Sequence, residues 1–203
     1  MENTSKNHWE AVYETKSPFE VSWTQQIPKT SLDFIESFDL PKTTAIIDVG
    51  GGDSNLVDHL LALGHENVTV LDISAKSIER AKERLGSLAE KVTWIVSDIT
   101  DFQPKIKYSI WHDRAAFHFL TQNSQKEKYL DLVNQAVEGY LIIATFSEDG
   151  PLKCSGLEIQ QYSEKSLEEQ FDQKFELIES KIEDHQTPFN TIQNFVFGIF
   201  KRK

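Results

Sequence analysis

Cysteine is nearly absent from the 203-residue chain: Cys154 stands alone. No internal disulfide can form, and without a second thiol a structural zinc site has no framework. The histidines form no HExxH-like pair, so no metal site is expected. Long apolar runs are missing too. Nothing approaches the roughly 20 apolar residues of a membrane helix, and the opening MENTSKNHWE lacks the basic-then-apolar pattern of a secretory signal. A cytoplasmic protein with no membrane partner is expected. Positive charge is also scarce: 21 Lys and Arg against 32 Asp and Glu leave a net charge of -11. Such a balance disfavours nucleic-acid backbone and anionic lipid as partners. The basic run KRK at 201–203 reads as a solvated tail.

What is present is an alternation. Apolar runs at 45–49, 67–72, 91–96, 108–111 and 140–146 are separated by helical patterns at 54–64, 74–87 and 123–137. This pattern predicts a parallel sheet with helical crossovers, a doubly wound α/β fold with helices on both faces. Ser74 is the expected N-cap of AKSIERAKERL. FELIESKIEDH and TIQNFVFGIFK predict a long antiparallel pair closing the sheet. Residues 1–40, with aromatic clusters Trp9/Tyr13 and Phe19/Trp23, are expected to form a helical cover, and 41–203 the main body of one structural domain.

The first strand runs into IIDVGGGDSN, residues 46–55. A Walker-type phosphate loop would need Lys and then Ser or Thr after its last glycine, and DSNLVD supplies neither. A dinucleotide fingerprint starting at Gly50 would place Asn55 where close helix packing calls for Gly or Ala. Asp53, expected to cap the next helix with its carboxylate, would also repel a pyrophosphate there. An adenosyl ligand without phosphate and with a cationic sulfonium suits an acid-bearing loop better.

The stretch from Asp48 to Ser54 resembles motif I of class I S-adenosylmethionine-dependent methyltransferases, an acidic residue followed by GxGxG, with Ser54 in place of the third glycine. The resemblance implies a Rossmann-like seven-stranded sheet whose last strand is antiparallel, with S-adenosylmethionine as cofactor and S-adenosylhomocysteine as product. It implies that Asp48, Gly50 and Gly52 line the cofactor, that Asp72 with Ile73 holds the ribose, and that Asp98 with Ile99 contacts adenine. On physical grounds the glycines let backbone approach a ligand closely, and Asp72 can accept from two vicinal hydroxyls.

The fourth strand ends in IWHDRAAFHFL, which resembles the W-D-R-G-A-L stretch of the thiopurine and thiol methyltransferase branch, and HWEAVYETKSPFEVSWTQ resembles its Trp-rich N-terminal segment. By that resemblance Trp9 and Trp23 pack around the cofactor, while Asp113 and Arg114 border the acceptor pocket. Ala115 replaces the glycine after Asp-Arg. The same turn also resembles D-K-G-T-x-D-A of some lysine methyltransferases acting on proteins. Asp113, Arg114 and His118 are the candidate catalytic residues. Asp113, His112 and His118 are the bases available to an amine acceptor, yet His118 sits between two Phe residues and suits a core position. Asp113 could cap the next turn, and Arg114 could pair with Asp113 or Glu148. FSEDGPLKCSGLEIQQYS should overhang the same crevice as an acceptor-binding loop. The expected activity is methyl transfer to a small-molecule acceptor, thiols first, by a chain expected to be monomeric. A protein-lysine methyltransferase is the alternative. A non-catalytic adenosyl-binding module and a nicotinamide oxidoreductase rank behind.

Overall fold

Apolar runs without polar alternation suit strands covered on both faces, and the strands at 46–49 and 68–72 are buried along their whole length, whereas the edge run at 92–96 is only half covered. The computed structural model describes residues 4–203; residues 1–3 of the expected N-terminal cover lie outside the described residues. Helices α1 (Thr4–Thr15) and α2 (Lys29–Ser37) precede β1 (Ile46–Val49), α3 (Leu56–Ala62), β2 (Val68–Asp72), α4 (Ala75–Leu85) and β3 (Val92–Val96). Then come β4 (Tyr108–Arg114), α5 (Asn123–Ala136), β5 (Val137–Phe146), the short strands β6 (Lys153–Cys154) and β7 (Leu157–Glu158), α6 (Glu164–Phe171), β8 (Phe175–Gln186) and β9 (Ile192–Arg202). Seven strands form one sheet in the order β3-β2-β1-β4-β5-β9-β8. The first five are parallel, and β9 runs antiparallel to both β5 and β8.

Each face of the sheet buries its own cluster. Leu32, Phe34 and Ile35 of α2, with Leu56, Val57 and Leu60 of α3, pack on Ile46, Val68, Val70, Ile110 and Ile142. On the opposite face Tyr129 and Val133 of α5, with Leu167 and Phe171 of α6, pack on Ile47, Val49, Trp111, Leu141 and Ile143. Neighbouring residues along a strand point to opposite faces, so β4 sends His112 and Arg114 one way and Trp111 and Asp113 the other.

Strand order reverses between β1 and β4, and at such a switch point the loops from the carboxyl ends diverge and leave a crevice. Two loops hold its shape. Gly50 has φ of +70° and its N–H donates to Leu71 O at 2.7 Å. Ala115 has the same left-handed φ of +70°, the conformation a glycine would adopt freely, and its N–H donates to Ala144 O at 2.8 Å. The N-cap expected at Ser74 is present, with Ser77 N–H donating to Ser74 Oγ at 3.2 Å.

Candidate active site

The crevice is a cavity of about 430 Å³. Its wall includes Trp9, Trp23, Asp48, Gly50, Asp72, Ile73, Asp98, Ile99 and Arg114, residues expected at the site from sequence, together with Ser31, His112, Cys154, Leu157 and Glu158.

The glycine turn shows why side chains are excluded there. A Cβ at Gly51 would stand 2.2 Å from Asp48 Oδ2, and one at Gly52 would stand 2.0 Å from Ser77 Oγ and 2.6 Å from Asp72 Oδ2. Asp72 is buried. Its Oδ2 accepts from Gly52 N at 3.0 Å and its Oδ1 from Ser74 N at 2.8 Å. Burial pushes its carboxyl up to about 6 even though those two backbone N–H groups pull the other way. Each oxygen keeps a further lone pair, and ribose hydroxyls are donors of the right kind. Asp98 caps the following turn, accepting from Thr100 N at 2.9 Å.

Asp48 lies opposite His112 in the parallel register of β1 and β4. Its Oδ1 is 2.7 Å from His112 Nδ1, and His112 Nε2 is 2.8 Å from Ser31 Oγ of α2. Asp48 Oδ2 is buried and has no hydrogen-bond partner among the described residues. An orphaned carboxylate oxygen, a cradle that a Cβ would fill, and a carboxylate suited to vicinal hydroxyls fit a cationic adenosyl ligand such as S-adenosylmethionine.

Asp53 corrects an expectation. The helix after the glycine turn starts at Leu56, and Leu56 N donates to Ser54 Oγ, so Asp53 does not cap it. Its carboxylate instead takes Arg84 at 2.7 Å and Arg80 at 3.4 Å. Two guanidiniums outcompete a helix terminus that Ser54 already serves.

Asp113 and His118 are corrected as well, because neither stands on the cavity wall. Asp113 is fully buried on the other face of the sheet. Its Oδ1 accepts from Ala116 N at 2.9 Å and Phe117 N at 3.0 Å, and its Oδ2 from the Tyr129 hydroxyl at 2.6 Å. It caps the turn after β4. Burial pushes its carboxyl up to about 6. His118 packs between Phe119 and Phe146, and its Nδ1 accepts from Phe146 N at 3.3 Å. Burial, with the charge of Arg114, holds it down at about 3, so it stays neutral.

Arg114 pairs with neither Asp113 nor Glu148. Its Nη1 donates to Trp23 O at 3.1 Å, its guanidinium lies 4.6 Å from the Phe195 ring centre, and its Nε is buried without a partner among the described residues. Among the described residues no carboxylate lies within ion-pair distance of it, and burial lowers its pKa to about 10 despite the more distant Glu183 and Asp48. Cys154 on the same wall is pushed up to about 12 by burial, which leaves it a thiol.

The N-terminal segment is tied down on every side. Glu10 Oε1 accepts from Ala75 N and Oε2 from Ser74 Oγ, both at 2.8 Å, so α1 supplies a second cap to α4. Asn55 donates to Gln25 O at 2.9 Å, and His185 contacts Ser22 O at 2.7 Å. Trp9 meets Trp23 and Phe119 edge-on, with centroids 5.7 and 5.1 Å apart. Ser31 and Glu10 carried no signal in the sequence, because their partners are 81 and 65 residues away.

Residues 46–138 match the family model for a methyltransferase domain. Malonyl-[acyl-carrier protein] O-methyltransferase 2 of Ilyobacter polytropus is 29% identical over 117 residues, covering 57% of this chain and 44% of the relative. The match therefore spans less than half of that relative's length. A solved structure from work on conversion of a disulfide bond into a thioacetal group during echinomycin biosynthesis has a TM-score of 0.77 at 19% identity, covering 98% of this chain and 93% of that one. Magnesium protoporphyrin IX methyltransferase of Synechocystis PCC 6803, solved with bound S-adenosylhomocysteine, has a TM-score of 0.70 at 16% identity, covering 99% and 95%. These two likenesses show the seven-stranded fold.

Proposed function

We propose that this chain, whose residues 46–138 match a methyltransferase domain, is an S-adenosylmethionine-dependent small-molecule methyltransferase whose acceptor atom is anionic at neutral pH, a thiolate or a carboxylate. The observation that carries this reading is Arg114, a guanidinium on the cavity wall with no carboxylate partner among the described residues. A buried cation without a counterion is costly, and an anionic acceptor would complete it. The cofactor supplies an electrophilic methyl on a sulfonium, and the protein's main task is alignment. An anion needs no general base, in keeping with Asp113 and His118 facing away. A thiol of pKa about 8.5 beside a cation gains thiolate. The carboxylate version draws on the relative named for O-methylation of malonyl-acyl-carrier protein; the thiol version draws on the likeness of Trp111 to Arg114 to the thiol branch.

In this reading Gly50 brings backbone to the cofactor, Gly52 stands off the cavity wall and orients Asp72 through its N–H, Asp48 meets the charged end, Asp72 with Ile73 holds the ribose, and Asp98 with Ile99 flanks the adenine. Trp9 and Trp23 belong to a cover formed by residues 4–40, which excludes water. A lysine acceptor fits less well, since its ammonium would face Arg114.

The test is transfer of a radiolabelled methyl from S-adenosylmethionine to mercapto acids, carboxylic acids and monothioesters of dicarboxylic acids, with primary amines and a lysine-rich peptide in parallel. Label is expected in the anionic acceptors. Label confined to amines or peptide overturns the proposal.

A further inference from the structure

We infer that His112 and Ser31 are positioning residues for the amino-acid end of the cofactor, forming with Asp48 a chain that links α2 to the ligand. This rests on the cofactor part of the proposed function and on nothing about the acceptor. The chain is Ser31 Oγ to His112 Nε2 at 2.8 Å and His112 Nδ1 to Asp48 Oδ1 at 2.7 Å, with all three residues buried. With the carboxylate as acceptor, Nδ1 carries a proton directed at Oδ1, and Nε2 meets the Ser31 hydroxyl. The ring therefore has no free nitrogen for an acceptor. Its effect is to hold one oxygen of Asp48 and fix the direction of the other.

That other oxygen, Oδ2, is buried and has no hydrogen-bond partner among the described residues. It lies against Gly51, where a Cβ would come within 2.2 Å, and Asp48 and Gly51 both line the cavity. S-adenosylmethionine offers two positive groups, a sulfonium and an α-ammonium. Only the ammonium has N–H donors, so only it satisfies an orphaned acceptor. Ser31 belongs to a helix of the N-terminal segment, so the same chain makes seating of α2 depend on the group that the ammonium binds. Arg114 on β4 and Asp72 on β2 also interact with Asp48 through their charges. Neither hydrogen-bonds to it, and Arg114 offers the ammonium no acceptor.

Calorimetry of the full chain with S-adenosylmethionine, S-adenosylhomocysteine and 5′-methylthioadenosine separates the possibilities, because the last ligand lacks the amino-acid end. Asp48→Asn and His112→Leu are each expected to weaken the first two ligands equally, by about tenfold or more. Methylthioadenosine should change by less than about twofold. His112→Asn keeps a donor near Nδ1 and should recover most of the loss, while Ser31→Ala should lose about threefold with the same ligand pattern. Equal weakening of all three ligands would mean a structural role and overturn the inference. Loss confined to S-adenosylmethionine would place Asp48 at the sulfonium and also overturn it, as would unchanged affinities in the two His112 variants and Ser31→Ala. If the ligand pattern holds and no anionic acceptor is labelled, the acceptor proposal fails while this inference stands.

Discussion

Arg114 carries the acceptor proposal, and its replacement should separate acceptor from cofactor. Arg114→Gln keeps a donor for Trp23 O but removes the charge. It should raise the acceptor KM by ten- to a hundredfold, about 1.5–3 kcal/mol, with S-adenosylhomocysteine affinity within about twofold. Asp72 makes a pH-dependent prediction. Its carboxyl is raised to about 6 in the free protein by burial, and ribose hydroxyls bind best to the ionised form. Affinity for S-adenosylhomocysteine should therefore rise between pH 5 and 7 and then level off, and Asp72→Asn should flatten that slope while weakening binding overall. Ala115 holds a left-handed φ of +70°, which costs a non-glycine residue about 1–2 kcal/mol. Glycine relieves that strain but is more mobile when unfolded. Ala115→Gly is expected to raise the denaturation midpoint by the equivalent of up to about 1 kcal/mol. At this scale the sequence was informative where backbone chemistry was at stake: three consecutive glycines next to Asp48 and an acid at the end of β2 both point to ligand contact. It was misleading on β4. His112 and Asp113 are adjacent in sequence, but strand alternation sends His112 to the cavity and Asp113 into the core, and a one-residue error in face assignment swaps their roles.

The elements of the sheet were legible because alternation of apolar runs and amphipathic stretches depends on local periodicity. The boundaries were less so: β4 extends to Arg114 and β5 begins at Val137, directly after α5. The N-terminal segment could be assigned as helical and aromatic, but its attachment could not be read, because each tie joins residues far apart in the chain. Glu10 is the clearest example. It carries two acceptor oxygens to the positive end of α4, where Ser74 already caps, so one helix terminus is served by residues from two elements. Glu10→Ala should destabilise the protein by about 1 kcal/mol. It should also speed amide exchange in α1 more than in the sheet, measurable by hydrogen exchange with mass spectrometry. Equal acceleration everywhere would place Glu10 outside this docking role.

For the whole molecule, the matched domain at 46–138 and the cavity do not coincide. The glycine turn, Asp72 and Asp98 fall within the domain, but Trp9, Trp23, Ser31, Cys154 and Leu157 on the wall come from outside it. In the proposed reading the cofactor therefore meets residues from both parts, Gly50 and Asp72 from within the matched domain and Trp9, Trp23 and Ser31 from before it, and the acceptor end joins Arg114 of the domain to Cys154 and Leu157 beyond it. Ligand binding should consolidate both. At a free S-adenosylhomocysteine concentration 100 times its Kd, unfolding free energy should rise by about 2.7 kcal/mol, and protection of α1 and α2 amides should rise with it. A rise in stability without added protection of α1 and α2 would show that the N-terminal segment is independent of the site. The exposed edge strand β8 bears Glu176, Glu179, Lys181, Glu183 and Asp184, which discourages pairing with another sheet.

The position of β9 adds a constraint in time. This strand, Ile192–Arg202, is wedged between β5 and β8 and is hydrogen-bonded along both sides. During synthesis β5 emerges with its outer edge unpaired, and β8 emerges before the strand that will join it to the sheet exists. Phe195, Val196, Phe197, Ile199 and Phe200, which fill both cores, arrive after everything they pack against. The nascent protein therefore carries an open edge on β5 until residues 192–202 have been made, and the sheet cannot be complete before then.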